Sequence, residues 1–457
     1  MTILIHEPKI IGIRAMNSYK GTGIMDNMAM SRFSKSIQHL LRAERTIPLG
    51  SQTFSKSRTQ YPVGISPLYA TKAKGAEIWD LDGSKYIDLV SALASVTLGY
   101  GDKKVERAVA KQLKLGVSMS LPGVLEAEVA ELIVEMVPSA EMVRFGKNGT
   151  DATSAAIRLA RAYTGRDHIV VCGYHGWQDW YIGSTTRNKG VPESVSALTH
   201  KFKFNNIESL TSILNEFDGK VAAVILEPMN VVYPEPGFLE SVQEVTHKAG
   251  ALLIFDETIT GFRFAKGGAQ ELFGVTPDLS TFGKGMANGF PISAVVGRRE
   301  VMIEMEEIFF SGTFGGELLS LAAAKSVLER QAEGGICEEL NKLGGQLADK
   351  VVIAASQNGL ENVVALSGHP SWKFLNWTAI DTYTIDELKT FFIQQAFQKG
   401  LLVLSTHNIT TAFNGRIINR TSMIYSEIFA EINDAIKNES LTQKLKVKPL
   451  KPLFQIR

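Results

Sequence analysis

The chain is poor in most of the features that would assign it quickly. Its 457 residues include two cysteines, Cys172 and Cys337, far apart and without metal-ligand spacing. That excludes a disulfide framework, offers no metal site, and makes a reducing, cytoplasmic setting the expectation. Charge of one sign is missing too. The chain has 48 basic against 47 acidic residues, a formal net charge of +1, so no global field favours nucleic acid or an anionic membrane. No apolar run reaches bilayer-spanning length, and the longest, such as Val221 to Leu226, are strand-sized. The start, Met1-Thr2-Ile3-Leu4-Ile5-His6-Glu7, has no basic segment ahead of its apolar residues, and no secretory leader is expected. No glycine loop spells Gly-x-Gly-x-x-Gly after the first strand of a βαβ unit, which makes a dinucleotide site a poor fit.

What is there reads as globular. Hydrophobic residues make up 45% and charged residues 21%, ordinary values for a chain that folds around a core. The length calls for two or three structural domains. Ala76 to Asp80 and Lys85 to Leu89 alternate on either side of Leu81-Asp82-Gly83-Ser84, a hairpin signal. From about residue 100, helical periods (Val105 to Leu115, Leu125 to Val137, Asp151 to Tyr163, Leu239 to Lys248) alternate with short apolar strands. The strands are Met142 to Phe145, His168 to Cys172, Val221 to Leu226, Ala251 to Phe255 and Ser293 to Gly297. Continuous apolar strands between helices predict an α/β fold with a mostly parallel sheet buried on both faces. Beyond Glu317 the chain reads as helical to about Asn358, and then as a smaller α/β region with a strand at Trp372 to Trp377.

Several strand ends carry residues capable of chemistry. Lys284 lies in Thr281-Phe282-Gly283-Lys284-Gly285-Met286, downstream of Asp256-Glu257. A lysine amine condenses with a pyridoxal aldehyde, and a buried carboxylate keeps a pyridine nitrogen protonated. Standing alone, such a lysine is more often a solvated loop residue. Gly149-Thr150-Asp151 opens a helix after a strand, which suits either a phosphate cradle or ordinary helix capping. Tyr174-His175-Gly176-Trp177 follows the strand ending at Cys172. An aromatic at that edge can stack on a planar ligand or pack on the core. Glu227-Pro228 closes a further apolar strand, and Ser311-Gly312-Thr313-Phe314-Gly315-Gly316 is a glycine-rich loop before a helix.

In order, these segments resemble the class III pyridoxal phosphate aminotransferases, most closely the branch around glutamate-1-semialdehyde 2,1-aminomutase. The resemblance runs from about Ile47 to Gln331 and continues more weakly to the end. It is carried by Trp79-Asp80-Leu81-Asp82-Gly83 with Tyr86-Ile87-Asp88, by Gly149 to Thr153 with Ala156 to Arg161, by Tyr174-His175-Gly176, by Ile254 to Glu257 with Thr260-Gly261-Phe262-Arg263, and by Gly283-Lys284.

The resemblance implies pyridoxal phosphate as cofactor and the fold type I architecture. A large domain with a mostly parallel, seven-stranded type of sheet would span residues 95–335. A small domain would span 336–457, joined by an N-terminal segment over 31–94, with an irregular extension over 1–30. It implies that Lys284 bonds the cofactor and shuttles a proton, and that Asp256 pairs with the ring nitrogen. Gly149 and Thr150 would bind the phosphate, Tyr174 would stack on the ring beside His175, and Glu227 would lie at the site. Thr313 would reach the phosphate from a neighbouring subunit, making a homodimer with shared active sites.

Departures from the aminomutase branch fall at Gly50 to Gln60, where Arg58 is a candidate for a substrate anion, and at Ser405-Thr406-His407-Asn408, where His407 is a candidate substrate contact. The leading expectation is an aminotransferase that moves an amino group from an amino acid donor to a carbonyl acceptor. The variant form resembles aminotransferases labelled aminomutase-like, and that resemblance implies a place in surface polysaccharide or nucleotide-sugar biosynthesis. The alternatives are an intramolecular aminomutase and a catalytically silent binding protein of the same fold.

Overall fold

The computed structural model describes residues 32–451; the extension expected over 1–30 lies outside them. The alternating segments around Asp82-Gly83 form an antiparallel meander of β1 (Ala70–Lys74), β2 (Glu77–Asp80) and β3 (Lys85–Asp88). Gly83 turns the hairpin at a φ of 91°, a region that a Cβ would strain. Asp80 closes it, accepting from Ser84 N–H at 2.7 Å and from the Tyr86 hydroxyl at 2.8 Å.

Directly after β3 the backbone does something the sequence does not signal. Ser91, Ala92, Leu93 and Ala94 have φ of 46°, 49°, 61° and 67°, one turn of left-handed helix in four residues with side chains. Each such residue costs about 1–2 kcal/mol, so the turn persists only because its surroundings fix it. Asp88 does part of this, its Oδ1 accepting from the N–H groups of Val90 (2.7 Å) and Ser91 (2.9 Å). The Ser91 hydroxyl donates to the Asn408 carbonyl at 2.7 Å.

The large sheet contains β4 (Met142–Gly146), β5 (His168–Cys172), β6 (Thr199–Lys201), β7 (Val221–Leu226), β8 (Leu252–Asp256), β9 (Leu279–Phe282) and β10 (Ser293–Gly297). Its order is β4-β10-β9-β8-β7-β5-β6. β10 runs opposite to the other six strands, antiparallel to both β4 and β9. Every residue of β7 and β8 is buried, the outcome expected for continuous apolar strands covered on both faces. Helix Gly149–Thr164 covers one face with Ala152, Ala156 and Leu159, and helices Ile207–Glu216 and Phe238–Lys248 cover the other with Leu210, Leu214, Leu239 and Val242. Burying each large aliphatic side chain contributes about 1.5–3 kcal/mol. The parallel strands β5, β7, β8 and β9 end at one edge, and Tyr174, Glu227, Asp256 and Lys284 lie at or just past those ends.

The smaller α/β part contains β11 (Val364–His369), β12 (Trp372–Trp377), β13 (Leu401–Leu402) and β14 (Thr406–Asn408), with helices Ile336–Gln357, Ile385–Gln398 and Gly415–Lys437. β11, β12 and β14 make one sheet, while β13 pairs in parallel with β3, far upstream in sequence. The helical stretch expected from Glu317 to Asn358 is two helices. Gly334 and Gly335, at φ of 87° and 91°, break it between Leu318–Glu333 and Ile336–Gln357. Among the described residues no helix is long and apolar enough to cross a membrane.

Candidate active site

Asp256 is the last residue of β8 and is 5% exposed. Its Oδ2 lies 2.8 Å from His175 Nδ1, and the other His175 nitrogen lies 3.2 Å from the Cys172 carbonyl, so the ring is fixed at both ends. Oδ1 accepts from Thr258 N–H (3.1 Å), the Thr258 hydroxyl (2.6 Å) and the Thr281 hydroxyl (3.0 Å). Burial works against the charge of Asp256, but the His175 contact and the two bonds from Thr258 outweigh it, and the carboxyl stays below its ordinary pKa. Asp256 is therefore a carboxylate, held rigid and ionised in the interior.

Lys284 opens the turn Lys284–Ala287 that follows β9. Its φ of 42° is rare for a residue with a long side chain and places backbone strain at this position. The amine has no hydrogen-bond or ion-pair partner among the described residues. Burial pushes it down to about 8, with Glu227 and Asp256 pulling it up and Arg263 pushing it down. Glu227 is buried, and its Oε2 accepts from Tyr174 N–H at 3.0 Å and from the Asn230 amide at 2.8 Å. Burial and the nearby Asp256 charge raise the Glu227 pKa. The sheet edge thus holds one firmly ionised carboxylate, one reluctant carboxylate, and an amine that loses its proton readily.

A second cluster lies at the start of helix Gly149–Thr164. Asp151 accepts from Lys147 N–H (3.0 Å) and Asn148 N–H (2.8 Å), while the first-turn amides of a helix have no carbonyl partner within it. The Thr150 hydroxyl is buried and has no hydrogen-bond partner among the described residues. A Cβ on Gly176, whose φ is 106°, would overlap that hydroxyl, so the Tyr174-His175-Gly176 loop closes directly over the helix start. Tyr174 is 46% exposed, with its ring edge-on to Tyr181 at 5.6 Å. Lys147 also bonds Glu317 at 3.0 Å, tying this cluster to the glycine-rich loop. Thr313 sits exposed on that loop, among exposed Phe309 and Phe314.

The two candidate substrate residues draw other partners. Arg58 donates from Nε to Glu44 Oε1 at 2.5 Å, within the N-terminal segment. His407, on β14, is 1% exposed, and its Nε2 lies 2.6 Å from the Tyr425 hydroxyl. The contact joins β14 to helix Gly415–Lys437 inside the smaller α/β part. Neither residue makes a hydrogen bond or ion pair with Lys284, Asp256 or Glu227 among the described residues.

A family model, aminotransferase class-III, matches residues 60–436. This chain belongs to the class-III aminotransferases. Among its relatives, glutamate-1-semialdehyde 2,1-aminomutase of Syntrophobacter fumaroxidans is 40% identical over 336 residues, covering 70% of this chain and 77% of that one. Glutamate-1-semialdehyde 2,1-aminomutase 2 of Brevibacillus brevis is 38% identical over 393 residues, covering 81% and 91%. Among solved structures, the FumI protein of Sphingopyxis sp., in its PLP internal aldimine form, superposes with a TM-score of 0.82. It is 28% identical, with 88% of this chain and 97% of that chain covered. An omega-transaminase from Sphaerobacter thermophilus gives 0.79 at 27% identity, covering 87% and 97%.

Class-III aminotransferases use pyridoxal phosphate, and the residues present here fit it. The deciding observation is the unpartnered Thr150 hydroxyl at a helix start, a donor buried with nothing to bond until an anion arrives. An ionised buried carboxylate and a readily deprotonated lysine complete what the cofactor requires. Three residues with a part in this site escape a reading of the sequence. Thr258 and Thr281 hold the Asp256 carboxylate, and Arg263 is buried near Lys284. The Thr260-Gly261-Phe262-Arg263 segment carries a signal for Arg263. The two threonines carry none.

Proposed function

We propose that this enzyme moves an amino group between neighbouring carbons of one substrate, in the manner of the glutamate-1-semialdehyde 2,1-aminomutases it is similar to. The observation that supports this reading is the level and extent of the similarity. Relatives bearing that name reach 34–41% identity, and Lys284, Asp256, Glu227 and Thr150 stand together at one sheet edge. Pyridoxal phosphate, when bound, supplies an aldehyde that captures an amine and a ring that accepts electrons from the adjoining carbon. The rest is the work of this chain. Gly149, the Thr150 hydroxyl and the helix-start amides bind the phosphate. Asp256, oriented by His175, Thr258 and Thr281, keeps the ring nitrogen protonated. Tyr174 stacks on the ring face. Lys284 Nζ, with a pKa of about 8, would carry a proton between the amino-bearing carbon of the substrate and the cofactor carbon that takes up the amino group. Glu227 fixes the Tyr174 backbone and so the entry to the site.

The site is completed by a second copy of the chain, whose Thr313 reaches the phosphate. Support comes from the exposed apolar side chains around that loop, Phe309 (79%), Phe314 (59%), Leu121 (78%) and Val124 (76%). A patch of this kind is covered in a stable assembly. Gly123 abuts Leu318, so the Leu121–Val124 stretch and the Thr313 loop belong to one surface.

A second reading, transfer between separate donor and acceptor molecules, is favoured by one observation. Arg58, the candidate substrate-anion group of the N-terminal segment, is engaged by Glu44. Borohydride treatment of the protein supplied with pyridoxal phosphate should fix the cofactor on Lys284, and Lys284→Ala should abolish the adduct. Given glutamate-1-semialdehyde alone, the enzyme should form 5-aminolevulinate. No product there, with complete half-reactions from a panel of amino acid donors, would reject the intramolecular reading in favour of the second. The absence of any Lys284 adduct in the wild type would reject both.

A further inference from the structure

Arg263 is the largest fully buried side chain among the described residues, 1% exposed, and it forms no ion pair there. Its guanidinium instead ends on oxygen atoms of three separate stretches of chain. Nη1 donates to the carbonyls of Ser371 (3.1 Å) and Ile409 (2.9 Å) in the small domain. Nη2 donates to the Ala94 carbonyl (3.2 Å), with the Thr97 hydroxyl at 3.4 Å. A buried, uncompensated cation is costly, and neutral carbonyls alone are an unusual way to hold one.

What those contacts fasten is the left-handed turn. Ala94 is its last residue, and a Cβ on Gly285 would run into Thr97 Oγ1, with the Ala94 carbonyl also close. The turn therefore lies directly on the residue after Lys284. A cavity of about 330 Å³ lies beside it, lined by Ala92, Leu93, Tyr61, Leu68 and Ile78. The turn is held by Arg263 at its last residue, by the Asp88 cap at its start and by the Ser91 hydroxyl on the Asn408 carbonyl. Arg263 is itself aimed by strain. Phe262, immediately before it, has a φ of 57°, and its ring packs at 5.1 Å against Phe282, two residues before Lys284. Lys284 is thus approached from both sides by parts tied to one arginine.

We propose that Arg263 is a positioning residue for Lys284, clamping the left-handed turn and the smaller α/β part onto the lysine turn while placing an unpaired positive charge near the amine. This rests on the reading of Lys284 as the reactive amine. The charged groups that act on Lys284 are Glu227, Asp256 and Arg263. The two carboxylates hold the proton on, and Arg263 is the one group among them that drives it off. Burial lowers the Arg263 pKa to about 10, still far above neutrality, so the charge is present throughout the working range.

The test uses the full-length protein freed of cofactor, labelled with trinitrobenzenesulfonate across a pH series, with the Lys284 peptide quantified by mass spectrometry. The reagent reacts only with the free base, so the labelling midpoint reports the amine. Arg263→Gln keeps two donors and removes the charge, and should move the midpoint up by about half a pH unit or more. Arg263→Lys keeps the charge without the planar fork. It should hold the midpoint near that of the wild type while kcat falls at least about tenfold and KM changes little. An unmoved midpoint in Arg263→Gln overturns the proposal. Should that variant not fold, Arg263→Lys decides alone, and wild-type kcat there also overturns it. Failure to label Lys284 in the wild type at any pH would instead count against the amine assignment.

Discussion

Replacing Asp256 with asparagine should separate what the residue does for catalysis from what it does for folding. Four hydrogen bonds end on the carboxylate, one from His175, two from Thr258 and one from Thr281. Asparagine keeps an oxygen for the two threonines but cannot accept from His175 as a carboxylate does. A hydrogen bond to a charged group is worth about 1.5–3 kcal/mol. Opposing its loss is the cost of several kcal/mol for burying an ion, which asparagine does not carry. The unfolding free energy of the cofactor-free protein should therefore change by no more than about 2 kcal/mol, since these two effects oppose each other.

The reaction should respond quite differently. An opposite charge at hydrogen-bonding range shifts a pKa by about 1–3 units. At about 1.4 kcal/mol per unit, its loss from the ring nitrogen costs up to about 4 kcal/mol, or about a thousandfold in rate. Turnover of glutamate-1-semialdehyde to 5-aminolevulinate measures the second quantity, and urea unfolding of the cofactor-free protein measures the first. A variant within tenfold of wild-type rate would refute the role given to Asp256. So would one that loses more than about 4 kcal/mol of stability, because Asp256 would then be a structural pillar first.

Three further outcomes are expected. Thr150→Val should weaken pyridoxal phosphate binding about tenfold, read by fluorescence titration, without lowering the melting temperature of the cofactor-free protein, because the hydroxyl it removes has no protein partner. Ala94→Gly should raise stability by about 0.5–1 kcal/mol in thermal unfolding, since glycine tolerates the φ of 67° that strains alanine. The pH dependence of stability should carry the signature of Asp256. Its folded pKa is depressed, so its contribution is complete above the unfolded carboxylate value near about 4 and is lost as pH falls through the lower folded value. Asp256→Asn should unfold with a shallower acid dependence in that window, and an identical slope would contradict the assignment.

Much of this site is legible in the sequence, because its parts sit where strands end. Apolar runs mark β5, β7, β8 and β9, and the residues after them, Tyr174, Glu227, Asp256 and Lys284, are brought to one edge by parallel topology alone. Side-chain detail is different. That Thr258 and Thr281 both bond Asp256 depends on rotamers and on the register between β8 and β9, which composition does not encode. Arg58 looks available for a substrate because Glu44, its partner, lies fourteen residues upstream and bears no mark of the pairing. His407 is a candidate substrate contact in the sequence, whereas β14 carries it into the interior of the smaller α/β part. The left-handed turn is the most hidden feature. Ser-Ala-Leu-Ala has the composition of an ordinary helix, and only tertiary contacts, chiefly Asp88 and Arg263, reverse its hand.

The pairing of β13 with β3 has a consequence for how the protein is made. Strand β3 leaves the ribosome with its hairpin partner β2, but its other edge is completed by Leu401 and Leu402, about 310 residues later. At about 5–20 residues per second, that edge waits roughly 15–60 s for its partner. Through that interval the N-terminal meander shows an unpaired edge of the kind that recruits other chains. The large domain can meanwhile complete its own sheet, since β4 to β10 draw on no later strand. Assembly in the cell thus proceeds from the middle outward, with the two ends of the chain joined last. Yield on overexpression should depend on translation speed and chaperone supply more than on the stability of the finished enzyme.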